Sequence, residues 1–388
     1  MERIPLGQNA TGKTLLLVTL SLLALGVVMV HSAVASVLEP GRWYSRVDVR
    51  HTAFAIVAAG VLFTFWMVDY RRIAGAGSLP PGPTFLLAAS LVCGVLVFVP
   101  GIGKSVGGYY RWIRVGPSKY AIGFQPSELI KLSLLIFLAA WLSRRSVSQL
   151  RSFRRTFLPA AAIIGLCAGL VVTQDFGTAV LIGASATVTM LLAGVPVAHL
   201  ATFLLPAGAG FHLFVFTDPH RWARITAMAD PWSTTNPSAY QPQQSLMAIL
   251  SGGWFGKGTG CGIRKLGYLP EDSTDFIFAN FCEEWGLVGA VLLILLVAIW
   301  TLAAYRAASR SQDRFGRLLA GSMGFLISFQ AMLHIAVVLV TAPPTGVSLP
   351  FVSAGGTALV LMAAAAALIV SVTSRPTKSS LPGQAPPT

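Results

Sequence analysis

The sequence predicts an all-α polytopic membrane protein of about ten transmembrane helices, with both termini cytoplasmic and a large extracytoplasmic loop between helices 7 and 8. Three observations predict it. First, 11% of the 388 residues are charged and 54% are hydrophobic. Soluble domains carry roughly a quarter charged residues, and so few charges do not cover the surface of a soluble chain this long. Second, the apolar residues gather into ten runs, at about 14–34, 52–68, 84–99, 122–142, 157–173, 178–194, 196–216, 276–304, 315–340 and 353–374. A bilayer crossing uses about 20 apolar residues, and only a helix satisfies its own backbone polar groups in lipid. Third, Lys and Arg favour one set of flanks, with Arg144, Arg145, Arg151, Arg154 and Arg155 in one segment and Arg306, Arg310, Arg314 and Arg317 in another. The positive-inside rule places those segments, and both termini, in the cytoplasm.

The first run follows Lys13 and ends near Ala33-Val34-Ala35. That resembles a secretory leader, but the run is long for one and nine more follow, so it reads as an uncleaved helix. Residues 1–375 then form one transmembrane domain, with the long outer loop at about 217–275. Residues 376–388, rich in Pro, Ser and Thr, read as a disordered cytoplasmic tail. A shorter outer loop covers about 100–121.

Net charge is +14, from 28 Lys and Arg against 14 Asp and Glu. On a soluble chain this would point to nucleic acid. Here the charges flank apolar runs, where orientation and phosphate-bearing lipids explain them, and nucleic acid is excluded as a partner. Of the cysteines, Cys93, Cys167 and Cys282 lie in apolar runs and Cys261 in a loop, so no disulfide framework is implied. The histidines are scattered, and no metal site is read from spacing.

Glu128, Lys131, Glu283 and Glu284 fall within or at the edge of runs. An ionised side chain at mid-bilayer costs about 2.5–3.5 kcal/mol by insertion scales, so each requires a partner or a wet cavity. Glu128 and Lys131 are three apart on one helix face, either a mutually neutralising pair or a polar lining for a groove that takes charged substrate. Asp275 stands where the long loop enters the eighth run. It is either an N-cap or, with Ser273 or Thr274 capping instead, free to face an outer cavity. Near it in sequence lie Arg221, Arg224, Lys257, Arg264 and Lys265, and the shorter loop adds Arg111 and Arg114. Exposed, such residues are solvated or touch lipid headgroups; gathered beside a membrane-edge carboxylate, they suit a phosphate-bearing lipid substrate. The glycines between Gly252 and Gly262 lack the strand-then-helix context of a nucleotide loop. Ser353-Ala354-Gly355-Gly356-Thr357 reads as small residues that permit close helix packing.

Taken in order, these segments resemble one family, the shape, elongation, division and sporulation (SEDS) proteins of the FtsW, RodA and SpoVE type. The resemblance runs through about residues 14–374. It is carried by Arg111-Trp112-Ile113, Phe124-Gln125-Pro126-Ser127-Glu128 with Lys131, Asp175-Phe176-Gly177-Thr178, Arg224-Ile225, Asp230-Pro231-Trp232 and Gln244-Ser245-Leu246. The most specific stretch is Tyr268-Leu269-Pro270-Glu271 with Thr274-Asp275-Phe276 and Glu283-Glu284-Trp285-Gly286, followed by Pro344-Thr345-Gly346 and Leu349-Pro350-Phe351.

The resemblance implies a peptidoglycan glycosyltransferase at the outer face of the bacterial cytoplasmic membrane, polymerising lipid II into glycan strands and releasing undecaprenyl diphosphate for cell division or cell shape. It implies a class B penicillin-binding protein, a transpeptidase, as partner, within a divisome or elongasome. The family's essential acid falls on Asp275, as general base toward the acceptor hydroxyl. Arg111, Arg224 and Lys265 are expected to contact the diphosphate, and Glu128 with Lys131 to floor the cavity. Trp112, Gln125, Asp175, Gln244, Ser245, Glu271 and Ser353 are the remaining substrate-binding candidates. No cofactor is required by this reading, and a divalent cation stays open. The chain departs from the family pattern at Ser273 (usually His), Gln174 (Pro), His334 (Asn), Ala354 (Tyr) and Thr357 (Ser), which bears on cavity shape and partner control. Slight preferences in Asp230-Pro231-Trp232 and Gln244-Ser245-Leu246 lean toward the division and sporulation branch. Two other readings compete: a lipid II flippase, which buried Glu and Lys suit equally, and a non-catalytic scaffold for the transpeptidase, in which Asp275 is only a cap.

Overall fold

The computed structural model describes residues 9–34, 46–75, 79–106, 108–115 and 122–375. Each of the ten apolar runs is helical: α1 (Ala10–Val34), α2 (Val47–Met67), α3 (Pro81–Leu96), α4 (Pro126–Leu142), α5 (Phe153–Val172), α6 (Phe176–Ala193), α7 (Val197–Phe216), α10 (Ile277–Arg310), α11 (Arg314–Val338) and α12 (Thr357–Thr373). Among the described residues seven helices are long and apolar enough to cross a membrane. The other three, α3, α4 and α12, are shorter. The tail at 376–388 lies outside the described residues.

The short helices α4 and α12 form the centre. Almost every residue of α4 from Ile130 to Leu142 is buried, and α12 is buried along most of its length. A helix that is apolar on all sides belongs inside a bundle, and apart from the buried Glu128, Lys131 and Ser133 of α4 these two are largely so. The alanines Ala363 and Ala365–Ala367 on α12 let neighbouring helices approach closely, the use that small residues have in lipid. Around this centre α4 packs on α3, α6 and α11, α12 packs on α2 and α1, and α10 lies between α1 and α11. Polar side chains inside the bundle pair with one another, as Ser90 with Ser133 at 2.7 Å and Trp300 with Thr19 at 3.0 Å, since hydrocarbon offers them no alternative.

Hydrogen bonds sort the helix ends into two groups. At one end Asn9 donates to Thr373, Trp66 to Ser374, Arg144 to the Ala74 carbonyl, and Arg314 to the carbonyls of Arg145 and Ala193. The Tyr70 hydroxyl donates to Asp313, which caps α11 through Gly316 N. At the other end Lys265 reaches the Ser32 carbonyl, Arg221 the Thr173 carbonyl, Ser245 the Val338 carbonyl, and Tyr110 N the Gln174 side chain.

Two features amend the sequence expectation. The segment after α3 is not helical or irregular: β1 (Gly103–Val106), β2 (Tyr109–Val115) and β3 (Ile122–Phe124) form an antiparallel sheet in the order β1-β2-β3. The fold is therefore mostly helical rather than all-α, because Tyr109-Tyr110-Arg111-Trp112-Ile113-Arg114-Val115 is rich in aromatic and β-branched residues that favour a pleated strand. The long loop at 217–275 is itself structured, by α8 (Pro219–Ala229) and α9 (Tyr240–Gly252). Asp218 caps α8 ahead of Pro219 and Asn236 starts a short turn ahead of Pro237, the usual cap-then-proline entry. α9 then runs alongside α10.

Candidate active site

The turn that delivers Asp275 is built from its own backbone and clamped by a distant segment. The Glu271 carbonyl accepts from the amides of Thr274, Asp275 and Phe276 at 3.2, 3.0 and 3.1 Å. Glu271 itself sits at φ +57°, a left-handed conformation uncommon for a residue with a side chain. From the approach to α12, Ala354 N donates to the Ser273 carbonyl at 3.0 Å. Ser353 Oγ donates to the Thr274 carbonyl at 2.7 Å and accepts from Leu349 N at 2.8 Å.

The cap position of α10 falls on Phe276, with no side-chain cap. Asp275 is thus not an N-cap, and among the described residues its carboxylate accepts no hydrogen bond. It faces Gly346, where a Cβ would lie 3.5 Å from Asp275 Oδ2 and 3.9 Å from Arg111 Nη1. Gly346 adopts φ +71°, so glycine both permits this turn and keeps the space beside the carboxylate open.

That space adjoins a cavity of about 570 Å³ lined by Tyr109 and Arg111 from β2, Arg221 and Arg224 from α8, and Pro344 and Thr345. Arg224 Nη1 donates to the Pro344 carbonyl at 3.3 Å, and the Arg111 guanidinium lies 5.0 Å from the Tyr109 ring centre. Arg111 Nε and Thr345 Oγ1 are buried with no hydrogen-bond partner among the described residues. Unsatisfied buried donors are costly, and both residues line this cavity.

Burial pushes the Asp275 carboxyl up to about 6, with repulsion from Glu271 and Asp175 adding to it and Arg111 and Arg224 opposing. Asp272 is also raised to about 6, mainly by burial, but it is Asp275 whose carboxylate, with the Arg111 guanidinium, faces Gly346. A carboxylate poised near neutrality beside two guanidinium groups can take a proton from a hydroxyl while those groups stabilise an anion.

The other sequence candidates divide. Asp175 borders the site electrostatically but caps α6, accepting from Thr178 N and Thr178 Oγ1 at 2.9 Å each. Glu271 makes the Asp275 turn and accepts from Thr274 Oγ1 at 2.9 Å. Gln125 precedes α4 without capping it. Lys131 pairs with Glu128 at 2.8 Å and donates to Gln330 at 3.0 Å; Gln330 in turn donates to the Ser348 carbonyl at 3.0 Å, which ties the buried pair to the segment carrying Gly346. Gln244 accepts from Arg264 at 2.6 Å, and Ser245 holds the Val338 carbonyl. Neither lines the cavity.

Lys265, expected at the diphosphate, is placed elsewhere. It is buried and donates to Glu284 at 2.8 Å and to the Ser32 carbonyl at 2.9 Å. Glu284 also accepts from Ser32 Oγ and Gly260 N, while Glu283 takes Lys257 at 2.6 Å and the amides of Ile263 and Arg264. The two glutamates organise the glycine-rich loop around a kink in α10 at Gly286, φ +65°. A Cβ at Gly256 would lie 2.1 Å from the Glu284 carbonyl oxygen, so this glycine serves close packing. The physical reason for the correction is that two buried carboxylates require two cations, and Lys257 and Lys265 are those cations.

Tyr109 lines the cavity without having been singled out from sequence, and Thr345 and Gly346, which stand in the Pro344-Thr345-Gly346 motif, line or border the site without having been named as site residues. The departures from the family pattern also find places. Ser273 and Ala354 share a backbone bond at 3.0 Å, Gln174 receives Tyr110 N at 2.8 Å, and His334 Nδ1 meets the Val347 carbonyl at 2.8 Å. Thr357 Oγ1 is buried without a partner among the described residues. Nor do three or more His, Cys, Asp or Glu side chains gather among those residues in a way that could hold a metal ion.

Comparisons with known proteins agree with this fold. Residues 13–378 match the profile of the FtsW/RodA/SpoVE cell cycle proteins. The chain is 34% identical over 359 residues to the probable peptidoglycan glycosyltransferase FtsW of Saccharophagus degradans, covering 90% of this chain and 89% of that one. It is 35% identical over 363 residues to stage V sporulation protein E of Bacillus subtilis, covering 92% and 95%. Among solved structures it superposes on a chain of a peptidoglycan synthase complex that coordinates polymerization and crosslinking, with TM-score 0.73, 25% identity and coverage of 92% and 96%. It also superposes on the rod shape determining protein RodA of Thermus thermophilus, with TM-score 0.64, 25% identity and coverage of 92% and 95%. With a family match across nearly its whole length and relatives above 30% identity, the chain belongs to the FtsW/RodA/SpoVE family of cell cycle proteins.

Proposed function

We propose that this peptidoglycan glycosyltransferase polymerises lipid II at the outer face of the bacterial cytoplasmic membrane and releases undecaprenyl diphosphate. In this reading the chain crosses the membrane ten times with both termini in the cytoplasm, and the end of the bundle bearing Arg144 and Arg314 faces inward. The observation that carries the proposal is an uncapped Asp275 beside Gly346 and Arg111, its carboxyl raised to about 6, at the edge of a cavity with unsatisfied donors.

The chemistry follows from the residues. Asp275 accepts the proton of the acceptor sugar hydroxyl as its oxygen bonds to the anomeric carbon of the donor. The bond from that carbon to the donor's phosphate oxygen breaks, and its electron pair leaves on the diphosphate. Arg111 and Arg224 stabilise the charge that develops there. The Glu128–Lys131 pair lies beneath, tied through Gln330 to the segment that carries Gly346.

A class B penicillin-binding protein is proposed as the partner that crosslinks the product; the superposed synthase complex couples polymerization to crosslinking. The free Asp275 carboxylate supports catalysis over a scaffold role, in which the acid would be a cap. Detergent separates catalysis from flipping, because it removes the two compartments that a flippase requires. The purified protein, incubated in detergent with labelled lipid II and a transpeptidase whose crosslinking serine is inactivated, should yield a ladder of glycan strands. Folded protein with bound partner and no ladder would overturn the proposal in favour of transport or scaffolding.

A further inference from the structure

Residues 343–348 pass beside Asp275 without secondary structure, and among the described residues they make no backbone-to-backbone hydrogen bond. Buried carbonyls require partners, and irregular backbone in a membrane protein persists only where protein buries it or it lines a wet cavity. Here three side chains hold it. Arg224 donates to the Pro344 carbonyl at 3.3 Å, His334 Nδ1 to the Val347 carbonyl at 2.8 Å, and Gln330 to the Ser348 carbonyl at 3.0 Å.

The three anchors differ in kind. Arg224 is exposed and lines the cavity beside Asp275, so an anion bound there competes for it. Gln330 and His334 are buried, stand four residues apart on one face of α11, and do not line that cavity. Their chemistry leaves one arrangement. An ammonium only donates, so Lys131, at 3.0 Å, takes the Gln330 side-chain oxygen and turns the amide nitrogen toward Ser348. A carbonyl only accepts, so His334 carries its hydrogen on Nδ1.

The held segment meets the Asp275 turn from two directions. Gly346, next to Val347, faces the Asp275 carboxylate. Leu349, next to Ser348, donates its amide to Ser353 Oγ at 2.8 Å, and that hydroxyl donates to the Thr274 carbonyl at 2.7 Å. Behind the segment stands Gly177 at the start of α6, where a Cβ would lie 2.8 Å from Thr345 Cβ. A shift of residues 347–348 therefore reaches the catalytic turn.

We propose that Gln330 and His334 are positioning residues for glycosyl transfer. They hold the 347–348 backbone, and through Gly346 and Ser353 the place of Asp275, while Arg224 is drawn to the substrate's diphosphate. This rests on the polymerase reading above. Neither side chain touches substrate, so their loss falls on kcat rather than KM. Misplacing a reacting group by about 1 Å costs up to about a hundredfold in rate.

Three variants test this, each in detergent with labelled lipid II and bound to the serine-inactivated transpeptidase. His334→Leu and Gln330→Met remove a donor at nearly constant volume. His334→Asn keeps one, because its amide nitrogen branches from the same carbon as Nδ1. The first two should lower kcat at least tenfold with KM for lipid II within about twofold, and His334→Asn should stay within threefold of wild type. Hydrogen–deuterium exchange, which requires no turnover, should quicken at the Leu349 and Asp275 amides in the first two variants only. If His334→Leu does not fold, Gln330→Met decides.

Unchanged kcat in His334→Leu or Gln330→Met would overturn the inference. So would a loss in His334→Asn as large as in His334→Leu, or a raised KM at constant kcat, which would make these residues substrate contacts. Each of these results with an active wild type sinks this inference alone. A wild type that forms no glycan sinks the polymerase reading, and exchange at Leu349 and Asp275 then decides by itself whether the two side chains hold the segment.

Discussion

Gly346 presents its bare Cα to Asp275, so that a single added methyl group would lie 3.5 Å from the carboxylate oxygen Oδ2. At φ +71° the position also disfavours any side chain. Gly346→Ala should therefore cost about 1 kcal/mol in backbone strain. It should also reduce lipid II turnover by at least tenfold, because the methyl occupies the approach to the base. Thermal unfolding in detergent and turnover per folded protein, measured together, separate the two effects; unchanged turnover would show that substrate does not pass Gly346.

Activity should fall as pH drops through about 6. Asp275 must be ionised to accept a proton, and its carboxyl is held near 6 by burial and by Glu271 and Asp175. Each further pH unit below that value should reduce the rate about tenfold. Glu271→Gln removes one like charge and should move this limb to lower pH. The sign for stability runs the opposite way. The folded-state value lies above the ordinary 3.8, so an ionised Asp275 weakens the fold above about 6, and the penalty disappears as pH falls. An acid limb that Glu271→Gln leaves in place would assign it to another group.

Ser353→Ala should act on positioning. Its hydroxyl joins Thr274 O and Leu349 N, at 2.7 and 2.8 Å, and removing it leaves both buried groups unsatisfied at a cost of about 1–3 kcal/mol. Since Thr274 adjoins Asp275, kcat should drop several-fold with KM for lipid II little changed. A rise in KM at constant kcat would instead mean that Ser353 touches substrate.

Lys265→Met should damage stability rather than binding. It strands Glu284, buried with Lys265 as its cation, and loss of one partner from a buried pair costs about 3–5 kcal/mol. Adding Glu284→Gln should recover most of that loss in a thermal melt. If Lys265→Met keeps wild-type stability yet weakens diphosphate binding, the placement of Lys265 in the loop lock is wrong.

Much of this architecture is legible in the residues because lipid imposes a simple rule: ten apolar runs become ten helices. The cap-then-proline pairs Asp218-Pro219 and Asn236-Pro237 also mark structure inside the long loop. The sheet is harder to see. Its strands are short, although the aromatic and β-branched content of Tyr109–Val115 points to it. Asp275 and the arginines are legible as a set. Which cations belong to it is not, because Lys265 and Arg224 look alike in sequence. Only the fold-back at Gly256 against the kink at Gly286 turns Lys265 inward to Glu284. The meeting of Asp175, Gly346 and Asp275, far apart in the chain, likewise depends on helix packing that no local pattern encodes.

The most direct measurement is the initial rate of lipid II consumption in detergent by wild type and by Asp275→Asn, each bound to a transpeptidase with an inactivated serine. Asparagine keeps the shape and removes the base, so the account predicts a rate at least a hundredfold lower with unchanged thermal stability. A rate within threefold of wild type would contradict it and leave Asp275 a structural residue.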